Sequence, residues 1–248
     1  MGPKLSSEEI REQLLTMAID ITQTLDENNI PYTLTYGTLL GAVRHAGFIP
    51  WDDDFDIGIP ATYQKKAIKV LKNSCQYHFL SLDKDNYYDW VLRVSDKSTK
   101  IVSKETEWDV YNHTMQRDDI GLCLDIYPFY CLPDNIIKRK LHVFFSKLTS
   151  KLFRKSFANK SNIVKKIAFT LLSLRANSNT GKYYTDAGDI FYSRSLFSRT
   201  QMIAFEEHQF KAPAEAEKFL ESRYGDWKTL PSTEEINKAI HYEDTYWR

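Results

Sequence analysis

Four carboxylates fall within five positions of this chain, at Asp52, Asp53, Asp54 and Asp56. Like charges this close repel one another unless water screens them or a cation sits among them. The run Asp54-Phe55-Asp56-Ile57-Gly58-Ile59 reads as a strand, in which alternate side chains share a face. Asp54 and Asp56 then point one way while Phe55 and Ile57 point into a core. Two carboxylates so placed suit one hard divalent ion, Mg2+ or Mn2+, which keeps waters and takes substrate phosphates as further ligands. An EF-hand loop starting at Asp52 fails, because Ile57 stands where that loop needs Gly and Tyr63 where it needs Glu. Two other readings stay open at this point. One is the Asp-x-Asp of a nucleotide-sugar glycosyltransferase; the other is an exposed acidic turn. The apolar strand around the pair disfavours the turn, because unpaired buried charge is costly.

The residues before the acids point to phosphate. A strand-like Tyr32–Tyr36 is followed by Gly37 and Thr38, with Thr38 expected to cap a short helix from Leu39 to His45 closed by Gly47. Backbone N–H groups at such a strand-to-helix step can meet a phosphate. Arg44 can hold a donor phosphate bidentately, or it can pair with Asp52, Asp53 or the helix C-terminus. His45 reads as a structural hydrogen-bonder. Arg93, at the end of another β-like run, is a further candidate phosphate ligand. Gly37, Thr38, Arg44 and Arg93 are therefore the expected donor-binding set.

These residues need a scaffold, and the chain around them supplies one in outline. Ser6 and Glu9 have capping-box spacing, and Ile10, Leu14, Met17, Ile21 and Leu25 follow at helical period up to Asn28-Asn29. A helix is expected over Tyr63–Asn73. Strands are expected over Tyr77–Leu80, Trp90–Val94 and Lys100–Ser103, with an exposed turn at Asp83–Asp89. The strongest later strand is Ile120–Tyr127, stopped by Pro128 and carrying a single acid, Asp125. Asp134-Asn135 caps two basic amphipathic helices, Ile136–Phe153 and Ile163–Leu174, and a loop follows at Asn177–Gly181. A strand at Phe205–Phe210 and a helix from Ala214 to Tyr224, ended by Gly225, complete the outline. The aromatic tail has no clear assignment. The expected class is α+β, with a mixed sheet, flanking helices and a basic helical insert. The expected divisions are a core at 1–134, the insert at 135–185, and a C-terminal part at 186–248 that returns to the core.

Composition narrows the class without naming a partner. Lys plus Arg equals Asp plus Glu, 33 of each. From Lys138 to Lys182, however, twelve residues are basic and none is acidic. That section suits anionic headgroups or a pyrophosphate-linked lipid. The acidic remainder and the lack of a known module argue against nucleic acid. The three cysteines, Cys75, Cys123 and Cys131, have no CxxC spacing, which fits a reducing cytoplasm; with the basic section, the expected place is the cytoplasm, at most peripherally at the inner face of a membrane.

The order "apolar-Gly-Thr, then Asp-apolar-Asp-apolar" resembles the polymerase-β-type nucleotidyltransferase superfamily. The resemblance implies a third carboxylate on a neighbouring strand, for which Asp125 is the candidate. The longer block GTLLGAVRHAGFIPWDDDFDIGI resembles the LicD family, to which fukutin-type proteins are related. LDIYPF at 124–129, FEEHQFKAP at 205–213 and FLESRYGDWKTLP at 219–231 follow in the same order. The resemblance implies transfer of a substituted phosphate from a CDP-activated donor, phosphocholine from CDP-choline in bacterial members and ribitol phosphate in fukutin-type relatives. The acceptor would be a cell-surface glycan or its lipid-linked precursor. It further implies Asp54, Asp56 and Asp125 as catalytic metal ligands. A glycosyltransferase and a membrane-docked scaffold remain the alternatives.

Overall fold

A computed structural model describes residues 2–73, 76–81, 91–103, 118–158, 162–175, 181–186, 190–234, 236 and 242–248. Helix α1 (Ser7–Glu27) starts as the capping box requires: the Glu9 N–H donates to Ser6 Oγ, and the Glu9 carboxylate accepts from the Ser6 N–H. Its inner stripe, Leu14, Met17, Ala18, Ile21 and Leu25, is buried, and Asn28 ends it. The expected strand at 32–36 shrinks to β1 (Thr33–Leu34), because Tyr36 already opens helix α2 (Tyr36–His45). Gly37 and Thr38 thus lie inside the first turn of α2, and Thr38 is not its cap. Ala46, not Gly47, takes the left-handed conformation that closes the helix.

Strand β2 (Phe55–Pro60) runs antiparallel to β1 and parallel to β6 (Cys123–Leu132). A short 3-10 turn (Ala61–Tyr63) leads into α3 (Gln64–Leu71), then β3 (Tyr77–Leu80), β4 (Leu92–Asp96) and β5 (Thr99–Ser103). The mixed sheet has the order β1-β2-β6-β4-β3. Its far end continues from β6 into β7 (Tyr183–Thr185) and β8 (Tyr192–Ser193). Pro128 does not stop β6, contrary to expectation. On the side away from β2, the register with β4 ends at Ile126 and that with β7 begins at Tyr130. Pro128 falls in the gap between them, where a missing N–H costs the sheet nothing.

Helices α4 (Ile136–Ala158) and α5 (Asn162–Arg175) pack on each other. Asn135 caps α4, its Oδ1 accepting from the N–H groups of Ile137 and Lys138. Beyond a single-turn α6 (Ser195–Ser198), the expected strand at 205–210 is two strands. They are β9 (Thr200–Phe205) and β10 (His208–Pro213), folded about Glu206-Glu207. Helix α7 (Ala216–Tyr224) ends at Gly225, whose φ is +66°. The aromatic tail becomes β11 (Tyr242–Trp247), paired with β5. Cys75, Trp90, Asp83–Asp89 and most of Asn177–Gly181 lie outside the described residues. Among the described residues, no helix is long and apolar enough to cross a membrane.

The fold is therefore α+β, with a mixed sheet and flanking helices. Its core runs between that sheet and α1, α2 and the β9–β10 hairpin. Phe55, facing away from the acids, packs against Phe48, Phe205 and Phe210 at ring separations of 6.1, 5.3 and 5.5 Å.

Candidate active site

Three adjacent strands bring one charged residue each to one point of the sheet. In the parallel β2–β6 register Asp56 lies opposite Asp125, and in the antiparallel β4–β6 register Arg93 lies opposite Asp125. All three are buried, at 5%, 3% and 2% exposure. The Arg93 guanidinium donates to Asp125 through both prongs, Nε to Oδ1 at 2.7 Å and Nη2 to Oδ2 at 3.0 Å. Such two-point pairing is the strong form of a charged hydrogen bond.

Asp56 is held differently. Its backbone N–H donates to Thr38 Oγ1 at 2.7 Å, which ties β2 to the first turn of α2. Its carboxylate accepts from the Gly37 N–H. Its Oδ1 is buried with no hydrogen-bond partner. Burial first, then the charges of Asp54, Asp125 and Asp52, push its pKa well above the usual carboxylate range. Asp54 sits at the mouth of the strand and is half-buried, whereas Asp53 is buried. A side chain at position 37 would bring Cβ within 2.8 Å of Asp52 Oδ2, so only glycine leaves that carboxylate its place.

An aromatic wall lines the same end of the sheet. Burial, and then the charges of Asp56, Asp125 and Asp54, drive the Tyr127 hydroxyl well above its ordinary pKa. Its ring meets Tyr36 edge-on at 4.5 Å. Tyr36 carries a left-handed φ of 45°, rare for an aromatic residue. Its hydroxyl donates to Asp186 Oδ2, and the Arg223 guanidinium lies 5.0 Å over its ring. Cys123, also buried, has its thiol pushed up to about 12, chiefly by burial and then by Asp125; it is an inert packing group.

The expected donor-binding residues do not all converge. Gly37, Thr38 and Arg93 touch the acids. Arg44 does not: its Nε donates to His45 Nε2 at 3.0 Å and its Nη1 to the Trp227 carbonyl at 3.1 Å. It fastens the end of α2 to the turn after α7. Arg93, expected as a phosphate ligand, is buried and paired with Asp125. Tyr36, Tyr127, Asp186 and Arg223 went unnoticed in the sequence. Asp186 did leave a trace, as the first acid after a section of some fifty residues that has none.

The residues suit a divalent cation on chemical grounds. A buried carboxylate oxygen without a donor, crowded by three more carboxylates, is a place where positive charge is missing. Asp54 and Asp56 would hold the ion. Asp125 has about four lone-pair sites and Arg93 uses two, so it too can reach an ion. Among the described residues, no three His, Cys, Asp or Glu side chains are already gathered to hold one.

The LicD/FKTN/FKRP nucleotidyltransferase-domain model matches residues 29–171, more than half of the chain. The chain belongs to this family. The matched LicD-family segment runs from before β1 into α5 and includes Asp54, Asp56, Arg93 and Asp125. A lipopolysaccharide cholinephosphotransferase, LicD, of Haemophilus influenzae is 24% identical over 96% of this chain and 97% of its own length. An uncharacterised protein of Rickettsia prowazekii is 37% identical over 40% of this chain, and one of Rickettsia typhi is 53% identical over 21%. Those matches span only 36% and 17% of the rickettsial proteins' own lengths.

Proposed function

We propose that this LicD-family chain transfers a substituted phosphate, phosphocholine from CDP-choline, to a hydroxyl of a cell-surface glycan or its lipid-linked precursor. The core that does so would be of the polymerase-β-like nucleotidyltransferase kind. The observation that carries the donor class is the end-to-end likeness to the Haemophilus cholinephosphotransferase. The buried Asp56–Asp125–Arg93 row supplies the chemistry. In the reaction the acceptor oxygen forms a bond to the phosphorus that bears choline. The bond from that phosphorus to the bridging oxygen breaks, and CMP leaves with the electron pair.

A bound Mg2+ or Mn2+ would neutralise the donor diphosphate, the charge on which phosphoryl transfer most depends. Asp54 and Asp56 fit its holding, with Asp125 as third acid. Gly37 and Thr38 fix Asp56 through one hydrogen bond each. Arg93 fixes the orientation of Asp125 and offsets its charge. Asp125 is the acid suited to take the hydroxyl proton, and its two-point bond to Arg93 fixes the oxygens that would receive it. That bond also weakens Asp125 as a base, so positioning and charge carry more of the rate than proton transfer. Arg223, on the face of Tyr36 and next to Tyr224, which feels the charges of Asp56, Asp52 and Asp54, suits the departing CMP phosphate.

The test is incubation with CDP-choline, CDP-ribitol or UDP-sugars, with Mg2+ or Mn2+ and a glycan acceptor. CMP release with CDP-choline and label on the acceptor is expected. CMP from CDP-ribitol alone would replace the choline assignment. UDP release would point to a glycosyltransferase. No nucleotide from any donor, together with no metal binding, would favour a scaffold.

A further inference from the structure

Helix α4 is turned inside out. Its buried face is polar: His142, Ser146 and Thr149, at 8%, 1% and 2% exposure, recur at helical spacing. His142 packs against the buried Tyr130 ring at 6.3 Å, and the Ser146 and Thr149 hydroxyls donate to carbonyls one turn back. The apolar face is outside. Ile137, Leu141 and Phe144, at i, i+4 and i+7, are 67%, 50% and 60% exposed, with Ile136 and Phe145 beside them. On the partner helix α5, Ile163 and Ile167 are 74% and 50% exposed while Lys165 and Ala168 are buried.

Charge says what this face meets. Exposed Lys140, Lys147 and Lys151 form a second stripe alongside the apolar one, at i, i+7 and i+11, and Lys138 and Lys166 are exposed as well. No Asp or Glu occurs between Asp134 and Asp186. A protein partner of mixed charge would leave this array unmatched. An anionic bilayer matches both stripes, since apolar side chains sink to the acyl boundary while lysine stems reach up to the phosphates. The hairpin is too polar to cross a membrane and is built to lie in the plane of its surface.

We propose that the α4–α5 hairpin docks this protein on an anionic lipid bilayer, with Ile137, Leu141, Phe144, Ile163 and Ile167 entering the interface. The anchor holding the hairpin to the body is short: Arg139 lies 5.3 Å over the Tyr183 ring and donates to the carbonyls of Pro133 and Asp134. The hairpin therefore leaves the body from the end of β6 opposite Asp125, which lies near that strand's start.

The experiment is sedimentation of the full chain with vesicles of phosphatidylcholine alone or of phosphatidylcholine with phosphatidylglycerol. No donor is added, so the outcome is independent of the transfer reaction. Binding to the anionic vesicles is expected, at least about tenfold tighter than to the neutral ones and weakened by salt. Leu141→Glu with Phe144→Glu, and separately Lys140→Glu with Lys147→Glu and Lys151→Glu, should each lower it at least about tenfold at unchanged Tm. Should the first pair unfold the protein, Leu141→Ser with Phe144→Ser is the substitute. Equal absence of binding to both vesicles, or undiminished binding by the variants, would overturn the proposal. So would light scattering that finds a dimer made monomeric by Leu141→Glu with Phe144→Glu, for the face would then be a subunit interface.

Discussion

At the meeting of β2, β4 and β6 the molecule buries charge: Asp56, Asp125 and Arg93 are all but sealed from water. On α4 it does the reverse, placing His142, Ser146 and Thr149 inward and Ile137, Leu141 and Phe144 outward. Each arrangement costs folding free energy, since buried charge loses hydration and exposed apolar surface forgoes burial. The costs differ in kind. The sheet pairs two of its three charges and leaves Asp56 to its neighbours, so the strain there is electrostatic and local. The helix exposes a face that nothing in the fold requires. Where patterning fails in a chain that otherwise obeys it, the failure marks what the residues do rather than what they hold together.

Substitutions can break that contrast or sharpen it. The largest effect belongs to Arg93→Ala, which strands Asp125 as a lone buried charge and should cost about 3–5 kcal/mol in urea unfolding. Adding Asp125→Leu should recover most of the loss; if the double variant is as unstable as the single, the pair is not the source. Next come Asp54→Asn and Asp56→Asn, each expected to lower CMP release about a hundred- to a thousandfold. Asp56→Asn should at the same time raise stability, because an amide bears no charge to repel. The sign with pH follows. Asp56 binds its proton more tightly folded than unfolded, so stability is fullest below the unfolded carboxylate range. It falls as pH climbs through the higher folded value. Thermal unfolding in chelator from about pH 4 to about pH 8 should show this decline, and Asp56→Asn should flatten it. If the slope is unchanged, Asp56 is not the titrating group.

Gly58→Ala is a smaller perturbation at the same strand. A Cβ there would stand 2.7 Å from the Phe129 ring and 2.8 Å from Thr35 Cγ2, and overpacking of this kind costs about 1–3 kcal/mol. The smallest effect should be Phe144→Ser on α4, within about 0.5 kcal/mol by the same urea assay. A larger loss would mean that the outward apolar stripe does support the fold.

Much of the scaffold was legible, for reasons that are local. Ser6 and Glu9 announce α1, and the Phe55-Ile57-Ile59 alternation announces β2. The mixed sheet and the family could be read from residues close in sequence. What failed depended on partners distant in sequence. Pro128 looks like a stop until β4 and β7 are seen to leave a gap beside it. Phe205–Phe210 looks like one strand because apolar Phe205 and Phe210 bound it and nothing local marks Glu206-Glu207 as a turn. Thr38 looks like a cap, yet its hydroxyl serves a backbone N–H eighteen residues ahead. Arg93 read as a candidate phosphate ligand because nothing in its sequence neighbourhood names Asp125 as its mate. The basic amphipathic helices were plain, but not which face each turns outward.

The Glu206 turn carries one more consequence, in time rather than space. Its N–H donates to the Ala46 carbonyl at 2.7 Å and its Oε1 accepts from the Phe48 N–H at 2.9 Å, bracing the loop that delivers Asp52, Asp53 and Asp54. Phe48 and Glu206 are 158 residues apart. At ribosomal speeds of about 5–20 residues per second, the later residue emerges roughly 8–30 s after the earlier one. Throughout that interval the acid loop lacks its brace. A nascent chain would hold its aspartates without their final arrangement until Glu206 had emerged.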